Sequence, residues 1–333
     1  MKTISFCIAN YCVPCHAFCR YCLLSSCGRS TGVNETDGMA FAHRVMHELA
    51  EARPELNTYY YVGYSMDTPR LAEYINFCRE HRCPSADFLQ MNGFAFRDDR
   101  ELKTLMETIR SSGVELIDLT FFGTLEYHDR FAGRKGDFDF LLRMLASAID
   151  AGLRVNASVP LIRENLGQMP ELYRILSEKA ANRITFFLPH SEGRGKNIQD
   201  QRITREEFEA LPGGIRNSFE RTKHLTEAEW LSGDEIVNPE KRVLTLVLTP
   251  ENYAHFSAMP ATDILNELEN IDDRYLEQMP SAKELAALYG DSKNRQLFRL
   301  RDLLLKWRQQ YISDTGNTIY DMDDESHHCA RRL

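Results

Sequence analysis

Six of the nine cysteines in this 333-residue chain stand near its start: Cys7, Cys12, Cys15, Cys19, Cys22 and Cys27. Three of them fall in Cys15-His16-Ala17-Phe18-Cys19-Arg20-Tyr21-Cys22, a C-x3-C-x2-C run. Thiolates on one short loop can converge on a single inorganic centre, and soft sulfur ligands suit iron–sulfur clusters and zinc. Three thiolates on a four-iron cluster leave one iron open, and an open position is what separates a reactive metal site from a closed structural one. Cys12-x2-Cys15 followed by Cys19-x2-Cys22 also resembles two zinc half-sites. Only three residues separate those pairs, however, where zinc ribbons and fingers usually have a dozen or more. A non-catalytic protein built on structural zinc or iron–sulfur is the alternative from a different class.

Composition fits the chemical reading. The chain is 43% hydrophobic and 27% charged, with a net charge of -9. That balance belongs to a globular domain and gives no broad basic footprint for nucleic acid or anionic membrane. No apolar run approaches the roughly 20 residues of a membrane span, and Met1–Ile8 is too short for a signal peptide. A cytoplasmic, reducing setting is the expectation, in which clustered cysteines serve metal binding or catalysis rather than disulfides. Cys7, Cys12, Cys27, Cys78 and Cys83 are expected as packing residues.

The elements that must position this loop are short β-rich runs alternating with amphipathic stretches. Strands are predicted over 3–8, 58–63, 87–91, 116–122, 154–160 and 184–188. Helices are predicted over 39–50, 70–79, 99–111, 138–151 and 170–179, with Asp98 or Asp99 as a cap. Strand–helix alternation implies a parallel sheet with crossover helices. Six units fall short of the eight of a closed TIM barrel, so the expected α/β fold is a partial (β/α)6 TIM-like barrel over 1–195. Residues 196–320 read as a mainly helical region for substrate binding or capping, and 321–333 as a flexible tail. Within that region 206–211, 226–231, 263–270, 282–288 and 295–311 look helical. Arg242–Thr249 is a strand candidate that either extends the sheet or pairs with an extended peptide.

At the cysteine run the sequence resembles the radical S-adenosylmethionine (SAM) superfamily, whose signature is this spacing with an aromatic residue before the last cysteine, here Tyr21. The resemblance implies one [4Fe–4S] cluster on Cys15, Cys19 and Cys22, with SAM chelated at the open iron. It implies reductive cleavage of SAM to a 5′-deoxyadenosyl radical that abstracts a substrate hydrogen. It also implies a one-electron donor such as flavodoxin or ferredoxin. Further likenesses follow along the chain. Gly63, Ser65 and Asp67 stand where the superfamily has the motif for the SAM amino group, although only the first glycine matches. Glu126-Tyr127-His128-Asp129 and the following Gly133–Phe138 segment resemble the peptide- and cofactor-maturing branch. There the resemblance implies SAM contacts at Thr120 and at an arginine, Arg134 in preference to Arg130. Asn156 and Ser158 alternate on one face of the fifth strand, which suits ribose or carboxylate contacts, with an internal water network as the plain alternative. Phe187–Gly195 resembles the superfamily's proline-to-GRG segment, in which the backbone near Leu188 would flank adenine.

Residues 196–328 contain no cysteine. That excludes the cysteine-rich auxiliary-cluster (SPASM) region many relatives carry from this stretch, and with a first strand predicted from residue 3 no leader-binding domain is expected ahead of it. The expected substrate is a peptide, as in natural-product maturation. The same-class alternative is a small-metabolite dehydrogenase, epimerase or mutase.

Overall fold

The computed structural model describes residues 1–24, 28–63, 65–84 and 86–316. Cys27 and the acidic tail from Asp321 lie outside the described residues. The first half runs β1 (Lys2–Val13), α1 (Glu35–Ala52), β2 (Asn57–Gly63), α2 (Leu71–Glu80), β3 (Phe88–Gln90), α3 (Asp99–Ser111) and β4 (Leu116–Thr120). It continues through α4 (Leu125–Ala132), α5 (Asp137–Asp150), β5 (Arg154–Pro160), α6 (Met169–Glu178) and β6 (Arg183–Phe187). The second half holds α7 (Arg205–Glu209), α8 (Gly213–Asn217), β7 (Leu225–Thr226), α9 (Glu227–Ser232) and β8 (Lys241–Val247). It closes with α10 (Pro250–Ser257), α11 (Ala261–Gln278), α12 (Ala282–Tyr289), β9 (Leu297–Phe298) and α13 (Leu300–Thr315).

All pairings among β1–β6 are parallel, in two arcs, β1–β2 and β3–β4–β5–β6. This is the partial barrel that strand–helix alternation implies. Local signals set its helices. Asp98 and Glu101 form a reciprocal capping box at the start of α3, and Asn34 accepts from the Asp37 N–H at the start of α1. Apolar residues at three- and four-residue spacing, such as Leu102, Met106 and Ile109, then bury one face of each helix on the sheet.

The division at residue 195 is crossed by β8. It lies parallel to β1 on the side opposite β2, with Phe6 beside Leu244 and Ile8 beside Leu246. It extends the sheet, and Leu244, Leu246 and Leu248 join the barrel core with Ile264 and Leu265 of α11. The strand candidate therefore serves both burial and sheet extension. Beyond it, Trp230, Tyr275, Leu285, Phe298, Leu303 and Trp307 form a separate C-terminal core. Helix α13 begins later than its apolar stripe suggests because Leu297–Phe298 pairs antiparallel with β7. The helix α4, unforeseen from periodicity, arises because Tyr127, His128, Phe131 and Ala132 bury one face over two turns.

Arg242 rivets β8 to α11. Its guanidinium donates to Asp272 (2.9 Å) and Asp273 and, through Nε, to the Thr3 hydroxyl of β1 (3.0 Å). Arg242 and Asp272 are 4% and 1% exposed, so removing the cation strands a buried carboxylate. Arg242→Ala should cost about 3 kcal/mol or more in urea unfolding. Arg154→Ala, which breaks the exposed pair with Glu115, should stay within about 1 kcal/mol. Equal costs would show that the β8–α11 rivet carries no special weight.

Candidate functional site

The motif cysteines lie on the irregular chain between β1 and α1, at the C-terminal end of β1, where the fold places binding loops. Because this loop has no ladder of its own, its backbone is held by neighbours. The His16 N–H donates to the Gly93 carbonyl (2.9 Å), the Phe18 N–H to Ala132 (2.8 Å) and the Arg20 N–H to Phe131 (2.9 Å). From the far side, the Arg194 N–H donates to the Cys22 carbonyl and its Nε to the Cys19 carbonyl, both at 2.9 Å. The Arg194 guanidinium also stacks on Phe18, 3.8 Å from the ring centroid. The GRG arginine is thus a clasp on the cysteine loop.

Two glycines make that clasp possible. Gly93 has φ +78°, and a Cβ there would lie 2.1 Å from the Cys15 sulfur. Gly193 has φ +53°, and a Cβ there would meet the Leu23 and Cys22 carbonyls at 2.2 and 2.5 Å. Both positions need a left-handed backbone and no side chain.

Cys15, Cys19 and Cys22 form no disulfide and are partly buried. Burial, then Cys22 and Cys15, push the Cys19 thiol well above its ordinary range, so a bound cation is what would hold it as thiolate. Zinc with bonds near 2.3 Å would draw its sulfurs to within roughly 3.8 Å of one another. Among the described residues, the one trio of His, Cys, Asp or Glu with ligand atoms all within 4.8 Å lies elsewhere, at His43, Glu80 and His81. The three motif thiols are thus not all gathered within 4.8 Å of one another in this structure. Cys12 does not join them: its thiol donates to the Val62 carbonyl (2.9 Å).

Inside the barrel, several of the sequence candidates meet. Tyr21 packs on Phe122, Phe131 and Phe187, and its hydroxyl reaches the Thr120 side chain. Thr120 is the last residue of β4, and Asn92 brackets its backbone, accepting from its N–H and donating to its carbonyl. Asn156 and Ser158 of β5 both donate to Asp118 of β4, the serine at 2.7 Å, and Thr185 of β6 donates to Asn156 (3.0 Å). Burial raises the Asp118 carboxyl, opposed by these two hydrogen bonds. Asp118 and Asn92 were not singled out from sequence. The signal for Asp118 was the alternation Ile117, Asp118, Leu119, Thr120, the same pattern that marked Asn156 and Ser158.

The remaining candidates are more constrained. Gly63 permits close approach of β1, since a Cβ there would lie 2.5 Å from that of Val13. Ser65 is buried and accepts from the Asp67 N–H. Asp67 accepts from the Ala95 N–H (2.6 Å) and from Arg97, and sits 4.0 Å from His16. Arg134 donates through Nη1 to the Phe94 carbonyl (2.6 Å), pairs with Asp137 and stacks on Phe96. Burial lowers its pKa, and the opposing influences include Asp137, Cys15, Asp67 and Cys19, which places it near the thiols. Arg130 instead lies over Tyr127. The Leu188 N–H is taken by Glu220 (3.0 Å), and Arg299 donates to its carbonyl. Adenine at that segment would have to do without the Leu188 N–H.

The E-x-H-D segment proves to be scaffold. His128 is fully buried, accepts from the Phe122 N–H at Nδ1 and meets Asp137 at Nε2. Asp129 accepts from the Gly136 and Phe138 N–H groups and so caps α5. Together they fix the α4–α5 corner whose Phe131 and Ala132 carbonyls hold the cysteine loop.

No protein-family model matches the sequence. The chain is 28% identical over 129 residues to the Fe-coproporphyrin III synthase of Methanosarcina barkeri, covering 39% of this chain and 31% of that one. It is 28% identical over 147 residues to the AdoMet-dependent heme synthase of Oleidesulfovibrio alaskensis, 44% and 38% of the two chains. The matched stretches span only about a third of the length of these curated relatives. Among solved structures, it resembles Streptococcus suis SuiB bound to its precursor peptide SuiA, with a TM-score of 0.51 and 12% identity over 73% of this chain and 58% of that one. SuiB is also known in a structure bound to S-adenosylmethionine, which matches with a TM-score of 0.50.

Gly93→Ala should strain a left-handed backbone and press on the Cys15 sulfur together. Gly152→Ala has almost the same φ (+77°) but nothing within 4 Å. Both should lose about 1 kcal/mol of stability from backbone strain, yet only Gly93→Ala should fall short in iron uptake on anaerobic reconstitution. Matching iron content in the two variants would refute the role given to Gly93.

Proposed function

We propose that this chain, whose cysteine signature and fold resemble those of radical SAM enzymes, reductively cleaves SAM to abstract hydrogen from an unactivated carbon. The observation that carries this is the loop of three thiols, clamped from both sides by main-chain hydrogen bonds at a strand's C-terminal end. Cys15, Cys19 and Cys22 would hold a single [4Fe–4S] cluster, which with SAM supplies a 5′-deoxyadenosyl radical once a flavodoxin- or ferredoxin-type donor has delivered an electron.

The chain's own residues orient and enclose. The turn at Gly63, Ser65 and Asp67 borders the SAM ammonium, with backbone carbonyls as acceptors because Asp67 is committed to Arg97. Arg134 is the candidate for the SAM carboxylate: a guanidinium offers five donors, and Arg134 meets the Phe94 carbonyl and Asp137 through Nη1. Tyr21, Thr120, Asn156 and Ser158 line the polar strip proposed for ribose, with Asp118 holding the two β5 side chains in place. Leu188 contributes apolar surface beside adenine.

A peptide is the favoured substrate. Among the described residues β8 ends its sheet with no strand on its outer edge, and strand edges recognise extended peptides through main-chain bonds. The likeness to a peptide-binding fold is in keeping with this. The names of the two sequence relatives support a second reading, in which the substrate is a small tetrapyrrole-like metabolite.

Anaerobically reconstituted protein should hold about four irons per chain, because the described cysteines outside the motif are committed elsewhere. Cys7, for example, is buried, and burial pushes its thiol up to about 12. On reduction with SAM it should release 5′-deoxyadenosine, and the Cys15, Cys19, Cys22 triple alanine variant should release none. A variant that kept the parent's iron and sulfide would overturn the cluster assignment. Arg134→Ala should weaken SAM binding ten- to hundredfold, as loss of a charge-assisted hydrogen bond implies, while Arg130→Ala leaves it unchanged. The opposite order would move the role to Arg130. Stimulation of 5′-deoxyadenosine release by a porphyrin, and by no peptide, would favour the second substrate reading.

A further inference from the structure

We propose that His43, Glu80 and His81 form a zinc site, distinct from the cysteine loop, that clips α1 to the C-terminal end of α2. One ligand atom from each lies within 4.8 Å of the other two. His43 Nδ1 and His81 Nε2 are 3.0 Å apart, with their rings nearly perpendicular at 77°. Two ring nitrogens this close share either a proton or a metal ion. Tetrahedral zinc with bonds of 2.0–2.1 Å separates two nitrogens by about 3.3 Å, so binding needs an opening of only a few tenths of an ångström.

The donor set is specific in kind. Two imidazoles and a carboxylate suit zinc, whereas magnesium and calcium demand oxygen ligands. Three protein ligands leave a fourth position for water, or for His47 one turn along α1, whose ring centroid lies 6.4 Å from that of His43. The two ligating rings are also placed by a buried side chain. His43 and His81 both rest on Phe77, at 6.4 and 4.5 Å between centroids, and Phe77 is 7% exposed. Their rotamers are therefore set by the core between α1 and α2. Zinc here would join the helices that flank β2 and would stabilise the folded chain by mass action.

Calorimetric titration of the cluster-loaded chain with zinc chloride tests this. One zinc per chain is expected, with a thermal midpoint raised by about 4 °C at a hundredfold excess over Kd. His43→Ala and His81→Ala should each weaken binding at least tenfold and remove the shift, and Glu80→Gln should weaken it too. His255→Ala, at an exposed histidine paired with Glu267, should change neither. Near-ultraviolet circular dichroism matching the parent certifies that the variants are folded, and Glu80→Gln, at an exposed position, keeps the test open if an alanine variant is not. Undiminished binding in the His43→Ala, His81→Ala double variant would place the zinc elsewhere and overturn the site. Parent binding weaker than about 0.1 mM would mean an adventitious ion only, and would overturn it equally. Either outcome leaves the iron and 5′-deoxyadenosine assays of the cysteine loop untouched.

Discussion

The structure turns on one constraint: eight residues with no ladder of their own must present three thiols at a fixed separation. A free loop would pay conformational entropy for each ordered residue, and its own contacts, such as the Cys22 N–H to the Cys19 carbonyl (3.2 Å), return little of it. The return comes from main-chain hydrogen bonds to Gly93, Phe131, Ala132 and Arg194, which belong to the loops and helices after β3, β4 and β6. The barrel is thus the frame that lets distant segments reach the same short stretch. The buried His128–Asp137 contact and the Asp129 cap act at one remove, by fixing the corner that carries two of those carbonyls.

Closing the barrel's open sides is the second demand. Arg242 draws β8 against β1 on one side. On the other, Phe186 of β6 accepts from the Glu220 N–H (2.8 Å) and donates to Ser218, so a short stretch of chain runs beside its edge. The C-terminal lobe reaches the same region through Arg299, which donates to the Leu188 carbonyl, to Asp302 (2.8 Å) and to His190 (3.3 Å). Burial, then Arg299, drives the His190 pKa down to about 3, so this histidine stays neutral at physiological pH. The fully buried Asp302 is compensated by Arg299 and Arg202. The end of β6, where adenine is proposed to rest, is therefore built jointly by the barrel and the lobe. Among the described residues, no helix is long and apolar enough to cross a membrane.

The C-x3-C-x2-C spacing named the chemistry because ligand identity and separation along a short loop are local properties. Strand–helix alternation gave the barrel for the same reason: periodicity of 2 and of 3.6 is written residue by residue. Asn156 and Ser158 were legible as an inward polar face from alternation alone. The same alternation in β4 held Asp118 and passed unnoticed, because a single acid between two leucine-like neighbours also reads as a strand's solvent face.

What no local pattern carried was partnership. Sequence offered Asp67 and Leu188 as groups facing SAM, and only the folded chain shows Arg97, Glu220 and Arg299 already bonded to them. It offered the GRG arginine only as part of a motif likeness, whereas 175 positions separate Arg194 from the Cys19 carbonyl it grips. It offered His128 and Asp129 only as part of a motif likeness, and their hydrogen bonds to Phe122, Asp137, Gly136 and Phe138 make them architecture. Spacing in sequence determines which atoms a segment can offer to a metal or a cofactor. Which of those atoms remain available is decided by hydrogen bonds between residues far apart in the chain, and those exist only once the tertiary structure has brought them within about 3 Å.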